Sequence, residues 1–399
     1  MKYKRMEEAV FLNRENRFIA MVEKDKKSIR VHVPNTGRCR ELFIPGAKVL
    51  LEGADPARKR KTPYSLVTVY KGDRPINIDS QAPNHLAAEY FDGEPYLKGF
   101  GKILSYEREV TEGDSRFDFY LKGSEGEGFL EVKGVTLEEE GLAKFPDAPT
   151  VRGAKHIREL GDMAAVGKCC GVLFVVQMKG IWGFTPNEET DPDFTQALRE
   201  AEEKGLHIFV VDTIVDGAEM DVDRSVPYFR KAPLALVKTR EEELPVVVNL
   251  IDSARAALKI DGVDQWQGAD PTPEELLENI KAGCCYFFKD DTVAGMAVLK
   301  EGADPTYDVI DGNWLTEGDY LTIHQFVVAE NKRGEGISRR MMERIFAYAR
   351  FKGIPAIRID THADNFHMRG LIESTGFTYC GVITVADGTD RVAYEQVIL

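Results

Sequence analysis

The sequence lacks long hydrophobic runs, and its cysteines are few and unpatterned. No stretch approaches the roughly 20 apolar residues that span a bilayer, and the N-terminal segment MKYKRMEEAVFL has no apolar run of the length of a signal peptide. We therefore expect a cytoplasmic protein without a membrane partner. The six cysteines form no CxxC pair and no paired histidine spacing occurs, which argues against a zinc site and a disulfide framework. We expect buried thiols instead.

The composition is that of an ordinary globular protein. The 399 residues are 43% hydrophobic and 30% charged, which is enough chain for two or three domains with their own cores.

The net charge hides an asymmetry. Residues 1–74 contain 18 basic and nine acidic residues, a net charge of +9, whereas the whole chain carries −14, so the remainder carries −23. A basic first module joined to an acidic body indicates a polyanionic partner for that module, DNA or another nucleic acid. A basic solvated face without a partner is the alternative.

Turn-forming residues divide the chain into segments. Up to residue 75, short apolar runs such as SIRVHV and YSLVTVY alternate with turns, which predicts a small β-barrel or sandwich. The next segment alternates strand and helix patterns, which predicts an α/β layer with parallel strands. A polar, proline-bearing stretch near residues 225–235 indicates a boundary. We therefore predict domains at 1–75, 76–228 and 234–399.

The stretch SRFDFYLKGSEGEGFLEVKGVTL places charges inside two apolar runs. Asp118 and Glu131 are 13 residues apart with a loop between them, so neighbouring antiparallel strands can bring both carboxylates and Lys133 to one face. With the backbone carbonyl of Val132 they suit a hydrated Mg²⁺ or Mn²⁺, and Lys133 suits the charge formed when water attacks a phosphate. Solvent-facing charges on a half-buried strand pair are the alternative. Glu89, Lys155 and His156 are weaker candidates on neighbouring helices.

The first segment contains two candidate phosphate-binding stretches. In HVPNTGRCREL, Asn35, Arg38 and Arg40 share a tight turn in which arginine forks and backbone amides suit phosphate oxygens. The run RKRKTPY adds the cations Arg58, Lys59, Arg60 and Lys61. A plain turn and a solvated hairpin tip are the respective alternatives.

The stretch IHQFVVAENKRGEGISRRMMERIF leads from a strand through a glycine turn into a helix. Glycines let backbone N–H groups converge, and the helix N-terminus adds partial positive charge, so the pattern favours a pyrophosphate. Arg333, Arg339 and Arg340 strengthen this interpretation. A strand, a glycine turn and a helix alone would be weak evidence.

Several motifs in the first 230 residues resemble known families. SRFDFYL and FLEVKGVTL resemble the PD-(D/E)xK nuclease signature, and together with HVPNTGRCRELFIPGAKVLLEG, FPDAPTVRGAKHIREL and PNEETDPDFTQAL they resemble the sugar fermentation stimulation protein family. The resemblance implies an OB-fold, a PD-(D/E)xK restriction-endonuclease-like domain, DNA binding and a nuclease activity. Asp118, Glu131 and Lys133 match the acidic–acidic–lysine core, although Phe117 stands where the signature has proline.

The third segment resembles the GCN5-related N-acetyltransferase (GNAT) family. LVKTREEELPVVVNLIDSAR, DTVAGMAVL, the glycine turn, DTHADN and STGF follow in that family's order. The resemblance implies an α/β GNAT domain with acetyl-CoA along the strand and its pyrophosphate on the amides of the turn. The implied cofactor-binding residues are Phe326, Val327, Val328, Arg333, Gly334, Gly336, Ile337, Ser338 and Asn365.

This segment departs from the family pattern at two positions. Ser338 stands where glycine or alanine is usual, and Ile372 stands where a tyrosine often protonates the leaving thiolate. Tyr379 is a conjectural substitute. Gln265 and Trp266 lie where such enzymes shape the acceptor pocket, with a helix–loop junction around a buried tryptophan as the alternative.

Together these expectations describe a multidomain, DNA-binding protein with a Mg-dependent nuclease site, fused to an acetyl-CoA-dependent N-acetyltransferase that acts on a small amine or a protein amine. The alternative is a non-catalytic DNA-binding regulator of sugar metabolism whose only enzymatic activity is acetyl transfer to an amine. The sequence leaves the oligomeric state open, a homodimer included.

Overall fold

The computed structural model describes residues 1–35, 37–54, 62–268, 270–385 and 388–398. The chain forms two compact units, Met1–Ala232 and Pro233–Leu399. Among the described residues, no helix has the length and apolar character needed to cross a membrane.

The first unit begins with a closed β-barrel. Its strands are β1 (Met6–Asn16), β2 (Ile19–Lys24), β3 (Lys27–His32), β4 (Lys48–Gly53), β5 (Tyr64–Lys71) and β6 (Arg74–Asn77). They pair in the order β3-β2-β1-β4-β5-β6, and a parallel contact between His32 and Ser65 joins β3 to β5. That contact closes β1 to β5 into a five-stranded barrel, whose inward-facing apolar residues share one core.

A mixed α/β layer follows the barrel. Its elements are α1 (Ala82–Asp92), β7 (Tyr96–Leu97), β8 (Gly101–Glu112), β9 (Ser115–Gly123), β10 (Glu127–Val135), β11 (Leu137–Glu139), β12 (Leu142–Phe145), α2 (Val151–Ala165), β13 (Cys169–Val176), β14 (Gly183–Pro186), α3 (Pro192–Glu203), β15 (His207–Asp216) and β16 (Glu219–Ser225). The main sheet has the order β16-β15-β13-β10-β9-β8-β7, and β11-β12-β14 form a small second sheet.

The centre of the main sheet is buried on both faces. Strands β10, β13 and β15 are parallel, and the central one, β13, is nearly continuously apolar and buried, as expected for a strand covered on both faces. Helices α2 and α3 pack closely, since a Cβ on Gly161 would lie 2.8 Å from Ala201. Asp191 caps α3 and also accepts from the amide of Thr150, which caps α2, so one carboxylate fixes where both helices begin.

Buried polar contacts join the barrel to the α/β layer within the first unit. Glu138 is 5% exposed and receives Lys71 at 2.6 Å and Arg74 at 2.8 Å. Gln177 donates to Asn77 at 2.8 Å. Because buried charges are costly unless they are paired, these contacts fix the barrel against the sheet.

The second unit is an antiparallel sheet with one parallel pair. Its elements are β17 (Ala235–Lys238), α4 (Leu244–Ile260), α5 (Pro273–Lys281), β18 (Cys285–Lys289), β19 (Val293–Glu301), β20 (Asp311–Gly312), β21 (Leu321–Val328), α6 (Ile337–Lys352), β22 (Ala356–Thr361), α7 (Phe366–Ser374), β23 (Thr378–Thr384) and β24 (Asp390–Val397). The strand order is β17-β18-β19-β21-β22-β24-β23-β20.

Strands β21 and β22 separate halfway along their length. They pair in parallel only from Leu321 to Ile323, and the register of β21 against β19 shifts before Val327. Gln325 lies at this shift with φ of 50°, the conformation of a β-bulge. The remainder of β21 therefore presents a backbone edge that β22 does not cover.

The structure confirms most of the predicted elements and adds others. Sequence patterning missed β8, whose burial alternates weakly, and α5, a nine-residue helix that begins at a capping box on Thr272. All six cysteines are unpaired, as expected, although Cys169 and Cys284 are only partly buried. Burial raises the pKa of the Cys39 thiol to about 12.

Candidate functional site

The hairpin β9–β10 brings the predicted carboxylates together. The pairing of Leu130 with Phe119 places Glu131 beside Asp118 on the neighbouring strand. The backbone amide of Val132 donates to Oδ2 of Asp118 at 2.8 Å, and Asn84 on α1 donates to Oδ1 at 2.9 Å. Each oxygen of Asp118 thus has one donor and retains a lone pair for a further ligand.

Glu131 lies at the centre of the site and is only 3% exposed. Its Oε1 accepts from Lys133 and lies 2.7 Å from Nδ1 of His156. Arg152 donates to Nε2 of the same imidazole at 3.4 Å, so the neutral ring carries its proton on Nδ1 and donates it to Glu131. Within the part of the chain that the structure describes, Oε2 of Glu131 is buried without a hydrogen-bond partner.

The two carboxylates have opposite pKa shifts. Burial, and then the neighbouring charge of Glu131, raise the pKa of Asp118. Burial also acts to raise the pKa of Glu131, but the hydrogen bond from His156 and the charge of Lys133 outweigh it and lower that pKa. Like charges held close together with divergent pKa values are typical of metal-binding or catalytic carboxylate pairs.

A polar pocket of about 300 Å³ opens over these residues. Its lining includes the two carboxylates, Lys133, Arg116 and Arg152. The described residues contain no group of three or more His, Cys, Asp or Glu side chains arranged for a metal ion. Two carboxylates with an unpartnered buried oxygen nevertheless fit a hydrated divalent cation, because Mg²⁺ takes few protein ligands and keeps much of its water.

Among the weaker candidates, His156 joins the site and the other two do not. Glu89 is an exposed residue of α1 that binds the N-terminal ammonium group at 2.5 Å. Lys155 is exposed and lies 3.5 Å from Glu159. Sequence reasoning missed Asn84 and Arg152, because the contact of each depends on how a whole helix packs on the sheet.

The basic loop before β4 is held by an arginine that sequence reasoning did not single out. Arg14 donates to the carbonyls of Asn35, Gly37 and Arg38 at 2.8 to 3.0 Å. The Asn35 amide is used inside the loop, since it donates to Ile78 and accepts from Gly37.

The two predicted arginines of that loop remain available. Arg38 and Arg40 are both exposed, and neither has an ion-pair partner among the described residues. The other predicted cations, Arg58, Lys59, Arg60 and Lys61, lie outside the described residues.

The second unit contains a larger cavity, of about 1090 Å³, where β21 and β22 separate. Phe326, Val327 and Val328 line it, and so do Arg333, Gly334 and Ser338 of the turn before α6. Gly336 has φ of 73° and caps α6, and Ile337 is buried in the core, so these two residues shape the turn and do not line the cavity with side chains. The amides at the start of α6 make this end suitable for an anion.

Asn365 lines the same cavity, but its side chain has structural partners. Its Oδ1 accepts from Met368 and caps α7, and its Nδ2 donates to Gln265 at 3.1 Å. Gln265 and Trp266 also line the cavity, whereas Tyr379 is 55% exposed and contacts Tyr394 edge to face outside it.

A partly buried polar cluster near the middle of β21 was not expected from the sequence. His324 lines the cavity, and its Nε2 lies 2.9 Å from Oδ2 of Asp304. Tyr307 stacks on the imidazole and donates to Asp360 at 2.7 Å. The hydrogen bond from His324 holds the pKa of Asp304 well below its usual value.

Comparison with family models divides the chain in the same order as its fold. The SfsA N-terminal OB domain model matches residues 12–78, and the sugar fermentation stimulation protein RE domain model matches residues 81–219. The acetyltransferase (GNAT) family model matches residues 252–377. The fold class expected from the sequence is thereby confirmed.

Curated relatives cover the first unit. A sugar fermentation stimulation protein homolog of Alkaliphilus oremlandii is 48% identical over 233 residues, which is 56% of this chain and 99% of the relative. A homolog of Ruminiclostridium cellulolyticum is 46% identical over 226 residues, 57% of this chain and 98% of the relative. The solved structure of Pyrococcus furiosus SfsA in complex with Ca²⁺ is 29% identical with a TM-score of 0.52, and the match covers 57% of this chain and 98% of that one.

Proposed function

We propose that this chain, which belongs to the sugar fermentation stimulation protein family and carries a fused GNAT acetyltransferase domain, is a nucleic-acid-binding protein with a divalent-cation-dependent phosphodiesterase site. The observation that carries the proposal is the convergence of Asp118, Glu131 and Lys133 in one polar pocket. Arg116 and Arg152 give the same pocket the positive charge that a phosphodiester requires.

The cation site consists of Asp118 and Glu131, with the carbonyl of Val132 as a third oxygen. The buried, unpartnered Oε2 of Glu131 supports this assignment, and so does the Ca²⁺ named for the Pyrococcus furiosus relative. A divalent cation held there supplies charge neutralisation and activates water.

The chain's own residues orient the reaction. The amide of Val132 and the side chain of Asn84 fix the carboxylate of Asp118, and His156 with Lys133 keeps Glu131 ionised. Lys133 projects a cation towards the position at which negative charge accumulates on phosphorus. Water adds to phosphorus, the bond to the leaving oxygen breaks, and that oxygen takes up a proton.

Incubation of single- and double-stranded DNA and RNA with the full chain, with Mg²⁺, Mn²⁺ or EDTA, tests the proposal. We expect cation-dependent cleavage that Glu131→Gln abolishes and Glu127→Gln, an exposed change on the same strand, leaves intact. Binding without cleavage would instead support the non-catalytic DNA-binding regulator. Cleavage that survives Glu131→Gln would indicate a contaminating nuclease.

For the fused domain we propose that acetyl-CoA binds in the cavity along Phe326 to Val328 with its pyrophosphate at the turn before α6. The uncovered edge of β21 and the amides at the start of α6 support this orientation. When bound, acetyl-CoA supplies an activated acetyl thioester, and the acceptor is a small amine or a protein amine. The test is a rise in melting temperature with acetyl-CoA, because a ligand that binds only the folded state stabilises it.

A further inference from the structure

The cavity of the second unit has two chemically different ends. Arg333 and the glycine turn lie at the end where β21 meets α6. His324 lies four residues before Val328, so it is about 13 Å further back along the strand at about 3.3 Å per residue. A thioester whose pyrophosphate sits at the turn therefore reaches towards His324, on the side away from the anion site.

Part of the cavity lining is acidic. Four carboxylates at the end of α4, in the following loop and on α5 line the cavity: Asp261, Asp270, Glu275 and Glu278. An alkylamine has a pKa of about 10.4, so at neutral pH it reaches this acidic lining as an ammonium ion. An ammonium ion has no lone pair, so it must lose a proton before it can attack a thioester.

His324 is oriented to accept that proton. Its Nε2 faces the carboxylate of Asp304, which stays ionised because its pKa is lowered, so Nε2 carries the ring proton. Nδ1 then has a free lone pair, and it has no hydrogen-bond partner in the described ranges. Stacking on Tyr307 fixes the plane of the ring.

The other charged groups near His324 lie on the elements that surround the cavity, β19, β22, β24 and α5. Lys300 on β19 lies 3.7 Å from Asp304 and offsets part of its charge. Asp360 on β22 is engaged by Tyr307, and Arg391 on β24 lines the cavity. Glu275 and Glu278 face the cavity from α5. Among these groups, His324 combines a lining position with a ring nitrogen held by the buried carboxylate of Asp304.

We propose that His324 is the catalytic base that deprotonates the acceptor amine, with Asp304 as its positioning residue. The inference rests on the proposed acetyltransferase function. Nδ1 takes a proton from the ammonium group, the amine nitrogen forms a bond to the acetyl carbon, and the carbon–sulfur bond breaks. The thiolate takes up the second proton of the nitrogen, so the ammonium ion and acetyl-CoA give an N-substituted acetamide, CoA thiol and one proton on His324.

The first test requires no cofactor. The full chain is labelled with ¹⁵N-histidine, and NMR spectra of the wild type and of His324→Gln are compared. The chain has seven histidines, and the signals missing from the variant are those of His324. We expect a protonated Nε2 and an unprotonated Nδ1 in the neutral ring, and Asp304→Asn should change this tautomer ratio. A proton found on Nδ1 in the wild type would overturn the assignment.

The second test measures thiol release from acetyl-CoA with two probes, spermidine and a lysine-containing peptide, which distinguish a small amine from a protein amine. His324→Gln should lower kcat by about 10² to 10⁴-fold, the usual contribution of a general base, with the KM for acetyl-CoA unchanged. The rate of the variant should rise with the fraction of unprotonated amine up to about pH 10. The rate of the wild type should reach its plateau at a lower pH. Asp304→Asn should lower kcat in the same direction.

His85→Gln is the matched control, because His85 is an exposed residue of α1 in the first unit and does not line this cavity. Retention of the acetyl-CoA-dependent rise in melting temperature shows that each variant is folded. An unchanged kcat and pH profile in His324→Gln would overturn the inference, and so would a wild type that binds acetyl-CoA but transfers to neither amine. A wild type without any acetyl-CoA-dependent stabilisation would defeat the transferase function itself, and the tautomer measurement would still decide the orientation of His324.

Discussion

Nδ1 of His156 lies 2.7 Å from Oε1 of Glu131, and both side chains are buried. Arg152 on the other ring nitrogen fixes the tautomer that donates to the carboxylate. The imidazole thereby helps Glu131 to remain ionised in a place where burial alone would raise its pKa. Asp118 has no cation in direct contact among the described residues, and its pKa rises. One pocket therefore holds two carboxylates with different proton affinities.

The first prediction concerns stability against pH without divalent cations. The folded-state pKa of Glu131 is lowered from 4.5, so its stabilisation is present above pH 4.5 and is lost as the pH falls through the lowered pKa. The pKa of Asp118 is raised from 3.8, so its contribution is complete below pH 3.8 and is lost as the pH rises through the raised pKa.

At pH 7 in EDTA, Glu131→Gln should therefore lower the melting temperature, and Asp118→Asn should raise it. The loss on Glu131→Gln is about 1 to 3 kcal/mol, the cost of leaving buried hydrogen-bonding groups without their partner. Calorimetric melting of both variants between pH 3 and 8 measures the effect, with Glu127→Gln as the exposed control. If both variants changed the melting temperature equally and in the same direction, the result would contradict opposite pKa shifts of Asp118 and Glu131.

The second prediction concerns divalent cations. Mg²⁺, Mn²⁺ or Ca²⁺ should raise the melting temperature of the wild type. At a free cation concentration of a hundred times the dissociation constant, the free energy of unfolding should increase by about 2.7 kcal/mol. Asp118→Asn and Glu131→Gln should each abolish most of this effect. Affinity should also weaken as the pH falls through the raised pKa of Asp118, because a protonated carboxyl is a poor ligand. Undiminished cation binding by the double variant would place the cation elsewhere.

Local sequence pattern predicted the parts of this site that lie on one hairpin. Asp118, Glu131 and Lys133 share two adjacent strands, so period-two alternation and a short loop were sufficient to bring them together. His156 is 25 residues beyond Glu131, and its position depends on the helix caps Thr150 and Asp191 and on packing against β13. Such tertiary contacts leave no periodic signal in the sequence.

The second unit gives a similar lesson. The glycine turn and the start of α6 were predictable, because strand, glycines and helix are contiguous. The contact between His324 and Asp304 depends on a loop 20 residues earlier and on the bulge at Gln325, whose positive φ is not encoded by a glycine. The ordinary partners of Asn365 were equally invisible, since they require Gln265 to approach from a distant loop.

The third prediction concerns nucleic-acid binding by the loop before β4. Arg14 holds the loop backbone, so Arg38→Gln and Arg40→Gln should remove cations without unfolding it. Each should weaken DNA binding similarly for all sequences and reduce the slope of log affinity against log salt by about 1. Arg30→Gln is the matched control, with the same charge change at an exposed position of β3 where the arginine pairs with Glu15. Fluorescence anisotropy at several salt concentrations measures the slopes, and identical slopes for all three variants would exclude this loop as a phosphate contact.

The fourth prediction separates cofactor binding from folding in the second unit. Ser338→Glu places a negative charge in the first turn of α6, where a carboxylate stabilises the helix by about 0.3 to 1 kcal/mol through its dipole. The same charge occupies the site proposed for the pyrophosphate and repels it. The variant should therefore melt no lower than the wild type without ligand, yet lose the rise in melting temperature with acetyl-CoA.

Arg350→Gln, in the last turn of the same helix, changes the net charge equally at the opposite end. It removes a favourable interaction with the helix C-terminus, so it should melt slightly lower while keeping the full response to acetyl-CoA. Ser338→Glu thus keeps the stability without ligand and loses the response to acetyl-CoA, whereas Arg350→Gln lowers that stability slightly and keeps the response. A wild-type response to acetyl-CoA in Ser338→Glu would mean that the pyrophosphate binds away from the start of α6, because an anion there would not tolerate the added carboxylate.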